Sequence, residues 1–239
     1  MIPRNIFQTS KVELGRHVTD WIKKHTISNW NYIHHDDEQN IVFLKTYFLK
    51  DYPNIIEKYN TLPFGQYKAD LARYAYLYIH GGVYLDSDIV LNDTLENIIE
   101  DYDFVMIHSI KWNRTLSLNA FIAVTSRNET ILKCFEHIYN TSSKRHGKDH
   151  YLSLCRHLFV QIESDYNIKL KMNKGHIESK GQKIKKLQEG RRYAKNNQLK
   201  SDWVLSDIYD VNRKKVVMIH IGGGHTPIDL QSVVDTIGT

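Results

Sequence analysis

Cysteine is almost missing from these 239 residues. The two present, Cys134 and Cys155, sit inside helix-like apolar patterns and at no spacing that metal ligands use, so a reducing compartment is expected. Long apolar runs are missing as well: no stretch approaches the about 18 residues of a membrane span, and the opening MIPRNIFQTS has no signal-peptide core. A cytoplasmic protein without a transmembrane segment is the expectation. A strong charge of one sign is lacking over the whole chain, where 32 basic residues face 27 acidic ones for a net +5. The excess gathers between residues 169 and 200, where eleven Lys or Arg accompany two Glu. No internal repeat is present. The length suits one globular domain, with a core large enough to need no staples.

What is there is an alternation of strand and helix patterns. RNIFQT (4–9) reads as a first strand, VTDWIKKHT (18–26) as a helix, and NWNYIHHDDE (29–38) as a strand running into an acidic loop. Residues 41–59 suit one or two helices split before Pro53. QYKADLARYAYLYIH predicts a helix capped by Gly81 and Gly82, followed by the strand VYLD and the capped helix NDTLENIIE. DFVMIHS and NAFIAVTS read as strands, NETILKCFEHIYN and DHYLSLCRHLFVQI as helices, and KVVMIHI (215–221) as the closing strand. Residues 170–200, polar and weakly periodic, read as an exposed basic excursion. The pattern predicts an α/β fold with a mixed, largely parallel central sheet and a ligand site at the carboxyl ends of its strands.

Two aspartates stand at such an end, in GGVYLDSDIVL (81–91). In an extended segment side chains at i and i+2 share a side, so Asp86 and Asp88 converge while Ser87 faces away. Two close carboxylates repel, and a hard divalent ion such as Mn²⁺ or Mg²⁺ resolves the repulsion. The plainer alternative is a solvated turn with two exposed acids. Upstream, Asp70 and Arg73 are three apart on one helix face: either an ordinary helical ion pair, or an acid and a guanidinium delivered to the same cleft. Tyr67, Tyr74, Tyr76, Tyr78 and Tyr84 are expected to pack the helix-to-strand unit, with one or two near the site. His34, His35 and His137 have no ligand spacing.

Taken together, KADLARYAYLYIHGGVYLDSDIVL resembles the signature of the glycosyltransferase family 32 sugar-binding region, which includes initiating mannosyltransferases and is shared in outline with the clostridial glucosylating toxins. IPRNIFQT is similar to that family's first strand, NYIHHDDE to its second, and NAFIAVT to a segment beyond the D-x-D. The resemblance implies a GT-A-type fold, a nucleotide-diphosphate sugar donor (UDP- or GDP-linked), a Mn²⁺-type cofactor and transfer with retention to a glycan, lipid-linked or protein acceptor, as in polysaccharide biosynthesis. Carried over by position, Asp86, Ser87 and Asp88 serve the ribose and the metal–diphosphate, Asp70 and Arg73 the donor sugar, and the backbone at Phe7, Gln8 and Thr9 the nucleoside. Asn119 matches a site-lining asparagine. His220, in VVMIHIGGGHTP, stands where the family has a histidine near the metal, although the usual Ser-Trp is replaced by His225 and Thr226. The family's Gly-Pro on the acceptor side is replaced by Gly147 and Lys148.

Two rival functions are carried alongside. VYLDSDIVL also resembles the D-x-D motif of haloacid dehalogenase-type phosphatases, in which Asp86 would be the nucleophile, but that motif opens its domain and here about 80 residues precede it. A non-enzymatic module could use the basic stretch 169–200 on sugar nucleotides or nucleic acid. Only Tyr193 interleaves its charges, against a base-stacking groove, so nucleic acid is not expected. Within a transferase the same stretch could rest on a membrane surface or an anionic acceptor.

Overall fold

The computed structural model describes residues 1–27, 29–111, 114–141, 148–170, 175–192 and 204–222. In chain order the elements are β1 (Asn5–Thr9), α1 (Arg16–Lys24), β2 (Asn31–His35), α2 (Asp37–Phe48), α3 (Ile55–Thr61), α4 (Gly65–His80), β3 (Gly82–Leu85), β4 (Ile89–Leu91) and α5 (Leu95–Ile99). There follow β5 (Phe104–Lys111), β6 (Arg114–Val124), α6 (Glu129–Asn140), α7 (Lys148–Asp165), β7 (His176–Ser179), β8 (Gln182–Arg192), β9 (Val204–Asp210) and β10 (Lys215–Gly222). One sheet joins the strands in the order β2-β1-β3-β6-β5-β8-β9-β10-β4, with β7 paired to β8 off that path.

The expected α/β class and mixed sheet are found. The expectation of a largely parallel sheet is corrected: β1–β2, β1–β3 and β5–β8 run parallel, and the other described ladders, β3–β6, β5–β6, β7–β8, β8–β9, β9–β10 and β10–β4, run antiparallel. Two of the three parallel ladders join the amino-terminal strands β1, β2 and β3, and the third joins β5 to β8. The acidic end of the second strand is also not a loop. Asp36 caps α2, accepting from the Gln39 N–H at 2.8 Å while the Gln39 side chain accepts from the Asp36 N–H at 2.9 Å.

Strand alternation divides the core between the two faces of the sheet. Phe7, Tyr84, Phe104, Met106, Ile122 and Val124 meet α2, α3, α4, α6 and α7 on one face. Ile6, Val83, Leu85, Val105, Ile107 and Ala123 pack with α1 and α5 on the other. The tyrosines of α4 do pack as expected: Tyr67, Tyr74 and Tyr76 are buried. Cys134, on α6, is a buried free thiol. Among the described residues no helix is long and apolar enough to cross a membrane.

The basic stretch is where sequence and structure part. Residues 182–192 are an interior strand of the sheet, β8, rather than an exposed excursion. Lys185 is 1% exposed and lies 2.7 Å from Asp210 and 3.1 Å from Glu100. Lys186 is buried, and half-exposed Lys183 pairs with Asp101. These three lysines therefore offer no free basic face to a membrane, an acceptor or a nucleic acid; residues 171–174 and 193–200 lie outside the described residues.

Burial holds the Lys186 amine down at about 8, from an ordinary 10.5. A cation disfavoured in the folded state makes stability rise as pH climbs from the folded pKa to the unfolded one. Between about pH 8 and 10.5 the wild type should therefore gain melting temperature relative to Lys186→Met. Thermal melts of both proteins at pH 7.5 and pH 10 check this, and a difference that does not move with pH refutes it.

Candidate active site

Helix α4 and strand β3 are joined by Gly81 and Gly82, both at positive φ (64° and 106°). A Cβ on Gly82 would stand 2.4 Å from the Asn5 carbonyl oxygen, and one on Gly81 2.5 Å from the Ser126 nitrogen. The pair thus lets the helix reverse into a strand pressed directly against β1. Along β3, Val83 and Leu85 point to one face and Tyr84 to the helical face, where its hydroxyl donates to Asp86 Oδ1 at 2.5 Å.

Asp86, Ser87 and Asp88 do not continue that strand. The Ile89 N–H donates to the Asp86 carbonyl at 3.2 Å, so the segment is a tight turn between β3 and β4. The expected convergence through an extended backbone is corrected to convergence through a turn. Asp86, Ser87, Asp88, Arg73, Tyr84 and His220 all line a cavity of about 670 Å³. The side chains of Asp86 and Asp88 are 32% and 29% exposed toward it. Two backbone bonds fix the turn: the Asp86 N–H donates to the Ala120 carbonyl at 2.8 Å, and the Ile221 N–H to the Asp88 carbonyl at 3.0 Å.

The bond to Ala120 continues the β3–β6 ladder past Leu85↔Phe121, while on its other edge β6 bulges. The β5–β6 register jumps from Met106↔Ile122 to Ile107↔Leu118, which releases Asn119, Ala120 and Phe121 from that ladder. The Asn119 carbonyl accepts from Arg73 Nη1, and its side-chain amide donates to Asp70 Oδ1 at 3.2 Å. Arg73 also lies 3.3 Å from Asp70 Oδ1 and 3.2 Å from Asp86 Oδ1, with its guanidinium 4.2 Å from the Tyr84 ring centroid. The helical ion pair and the delivery of a guanidinium to the cleft are thus one arrangement.

The remaining residues expected at the site divide. Asp70, 1% exposed, and Asn119, equally buried, stand behind Arg73 and off the cavity wall. Phe7 is core, stacked on Tyr76 at 4.2 Å. The buried Gln8 side chain donates to the Leu85 carbonyl at 3.0 Å and accepts from Tyr32 at 2.9 Å. Thr9 does reach the wall, where its hydroxyl accepts from Asn40 at 2.8 Å. His220, near the end of β10, places Nε2 3.7 Å from Asp88. His225, Thr226 and Gly147 lie outside the described residues, as does the side chain of Lys148.

Sequence reading missed the opposite wall, made by Asp37, Tyr59, Lys68 and the first turn of α4. Tyr59 donates to Asp37 at 2.8 Å, and Lys68 stands 3.6 Å from the same carboxylate. The acids of HHDDE were the available signal for Asp37; nothing local marked Tyr59. Glu189 was also missed, having been counted within the basic stretch.

The electrostatics are those of too many acids for one cation. Burial raises the Asp86 carboxyl above its ordinary value; Arg73 opposes this and Asp88 adds to it. Burial likewise raises Asp70, against the pull of Arg73 and the Asn119 bond. Asp88 Oδ1 is buried without a hydrogen-bond partner. A hard cation beside Asp86 and Asp88 would answer both the repulsion and the orphaned oxygen, so the residues fit Mn²⁺ or Mg²⁺. Among the described residues no three His, Cys, Asp or Glu cluster closely enough to hold an ion alone, so water or a bound ligand would have to complete its shell.

Residues 12–105 match the family model described as the glycosyltransferase sugar-binding region containing DXD motif. The chain is 35% identical over 71 residues to inositol phosphoceramide mannosyltransferase 3 of Schizosaccharomyces pombe, covering 30% of this chain and 19% of that protein. It is 38% identical over 87 residues to an uncharacterised glycosyltransferase of Acanthamoeba polyphaga mimivirus, covering 36% and 34%. The chain thus matches only a fifth to a third of the length of these curated relatives. Among solved structures it is similar to the PaToxG glycosyltransferase, with a TM-score of 0.49 and 15% identity over 70% of each chain. Residues 12–105 are thus similar to that sugar-binding region, and the D-x-D formed by Asp86, Ser87 and Asp88 lies within the matched span.

Proposed function

We propose that this protein is a metal-dependent, retaining glycosyltransferase of the GT-A kind, moving a sugar from a UDP- or GDP-linked donor to a glycan, lipid-linked or protein acceptor. The observation that carries the reading is the convergence of Arg73, Tyr84, Asp86, Asp88 and His220 on one cavity at the carboxyl ends of β1 and β3. Its volume, about 670 Å³, lies in the range that takes a ligand of nucleotide-sugar size.

Mn²⁺ or Mg²⁺ would be held by Asp86 and Asp88 with His220 beside them, and would supply neutralising charge for a departing diphosphate. The protein's own contribution is preorganisation. Arg73 is fixed by Asn119, Asp70, Asp86 and the Tyr84 ring, so its positive charge faces the cavity without needing to reorient. Tyr84 and Arg73 pin Asp86, and the bond to β10 pins the backbone of Asp88. The first turn of α4 adds backbone N–H groups and the positive end of a helix dipole to the wall, which suits phosphate. Thr9 stands where the nucleoside is expected, with Phe7 and Gln8 behind it as support. Retention follows if the departing phosphate takes the acceptor hydroxyl's proton on the face it leaves; no side chain is assigned as nucleophile.

A screen of UDP- and GDP-sugars without acceptor tests the reading. Slow Mn²⁺-dependent release of UDP or GDP from one donor is expected, and its loss in chelator. Absence of release from every donor, with phosphate released from simple phosphomonoesters, would instead favour Asp86 as a phosphatase nucleophile. The two donors on Asp86 Oδ1, Tyr84 and Arg73, already weigh against that role.

A further inference from the structure

His220 stands between two carboxylates. Its Nε2 is 3.7 Å from Asp88 Oδ2, and its Nδ1 is 3.6 Å from Glu189 Oε1. Glu189 belongs to β8, separated from β10 by β9, and its side chain is only 6% exposed. Alternation along β8 sends Lys185 and Glu189 to the same face, four residues apart. There Lys185 is neutralised by Asp210 and Glu100, so it is committed elsewhere, while Glu189 is aimed at the imidazole. The other carboxylate oxygen of Glu189 accepts from Ser109 Oγ on β5. Gly190 follows Glu189, and a Cβ there would stand 3.0 Å from the Tyr209 ring, so the strand runs tight against β9 at this point.

An imidazole carries its two nitrogens on one rigid ring, so the group that holds one nitrogen decides where the other points. We infer that Glu189 is a positioning residue: its carboxylate, itself held by Ser109, takes the Nδ1 side of His220 and turns Nε2 toward Asp88 and the cavity. Glu189 lies off the cavity wall and acts through His220. A buried acid in the middle of a basic strand is costly to keep, and this contact with His220 gives it a function.

The arm of the test that concerns geometry needs neither donor nor metal. In proton NMR of the full chain, His220 should show a slowly exchanging, downfield Nδ1–H resonance, assigned by its disappearance in His220→Gln. Glu189→Gln, which still offers an acceptor, should keep it, and Glu189→Ala should lose it. Ser109→Ala, the milder change, should speed its exchange. A resonance unchanged in Glu189→Ala and in Ser109→Ala overturns the assignment.

The second arm rests on the proposed function. Mn²⁺ binding in the presence of UDP or GDP, followed by electron paramagnetic resonance, should weaken by about 10-fold or more in Glu189→Ala and recover in Glu189→Gln. Equal affinity in all three proteins overturns the inference. A wild type that binds no Mn²⁺ counts against the transferase reading, while the NMR result still decides the role of Glu189.

Discussion

Asp88→Asn should cut donor turnover by about 10²-fold or more, as expected when a main charge stabiliser is weakened, and leave the ligand-free protein as stable as before or slightly more so. The two effects separate because the acid is a liability until a ligand arrives. In the ligand-free protein the charge of Asp88 adds to the burial that raises Asp86, and its own Oδ1 is buried without a hydrogen bond. An amide removes the charge and keeps the volume. With Mn²⁺ and UDP or GDP the wild type should gain a ligand-dependent rise in melting temperature that the variant largely lacks. Turnover in chelator with Asp86 and Asp88 both replaced, or a covalent aspartyl-phosphate on Asp86, would defeat the transferase reading.

Arg73→Met should be among the most damaging single changes to both stability and turnover. Removing the guanidinium leaves Asp70, 1% exposed, and the half-buried Asp86 without their common cation. Breaking a buried pair by deleting one partner costs about 3 to 5 kcal/mol. The sign with pH follows from the acids left behind. Their carboxyls, already raised by burial, rise further, so protonation relieves the cost and the deficit against wild type should shrink as pH falls. Adding Asp70→Asn should recover much of the stability and none of the turnover. Urea unfolding at pH 7 and pH 5, beside donor hydrolysis, checks both halves; recovery of turnover in the double variant would show Arg73 to be structural only.

How much of this was legible in sequence depends on where the partners lie. Arg73, Asp86 and Asp88 fall within one run of residues whose resemblance to a known signature grouped them, whereas Tyr84 was expected to pack and the aspartate turn was read as extended strand. The strand β10 and its His220 were legible as well: an apolar run ending in glycines marks itself. Asp70 and Asn119 were seen as site residues, but their place behind Arg73 depends on the β6 bulge, which no periodicity announces. Strand β8 was hidden because QKIKKLQEGRR looks solvated. Lys185 is buried against Asp210 and Glu100, which lie 25 and 85 residues away from it in the chain. Glu189 was lost with it, since a lone acid in a basic run carries no sign of a histidine 31 positions later.

Strand order has a mechanical consequence. Along the sheet β3 is third and β4 ninth, yet only Asp86, Ser87 and Asp88 connect them. Six interstrand steps of about 4.8 Å would separate the two by roughly 29 Å in a flat sheet, whereas four Cα steps reach at most about 15 Å. The sheet must therefore curl until its far edge returns to its middle, and the aspartate turn is the seam. Asp86 hangs from one lip of that seam and Asp88, with His220, from the other. An ion gripped by both aspartates would act as a clasp, so that prising β9, β10 and β4 away from the rest would first have to break its hold.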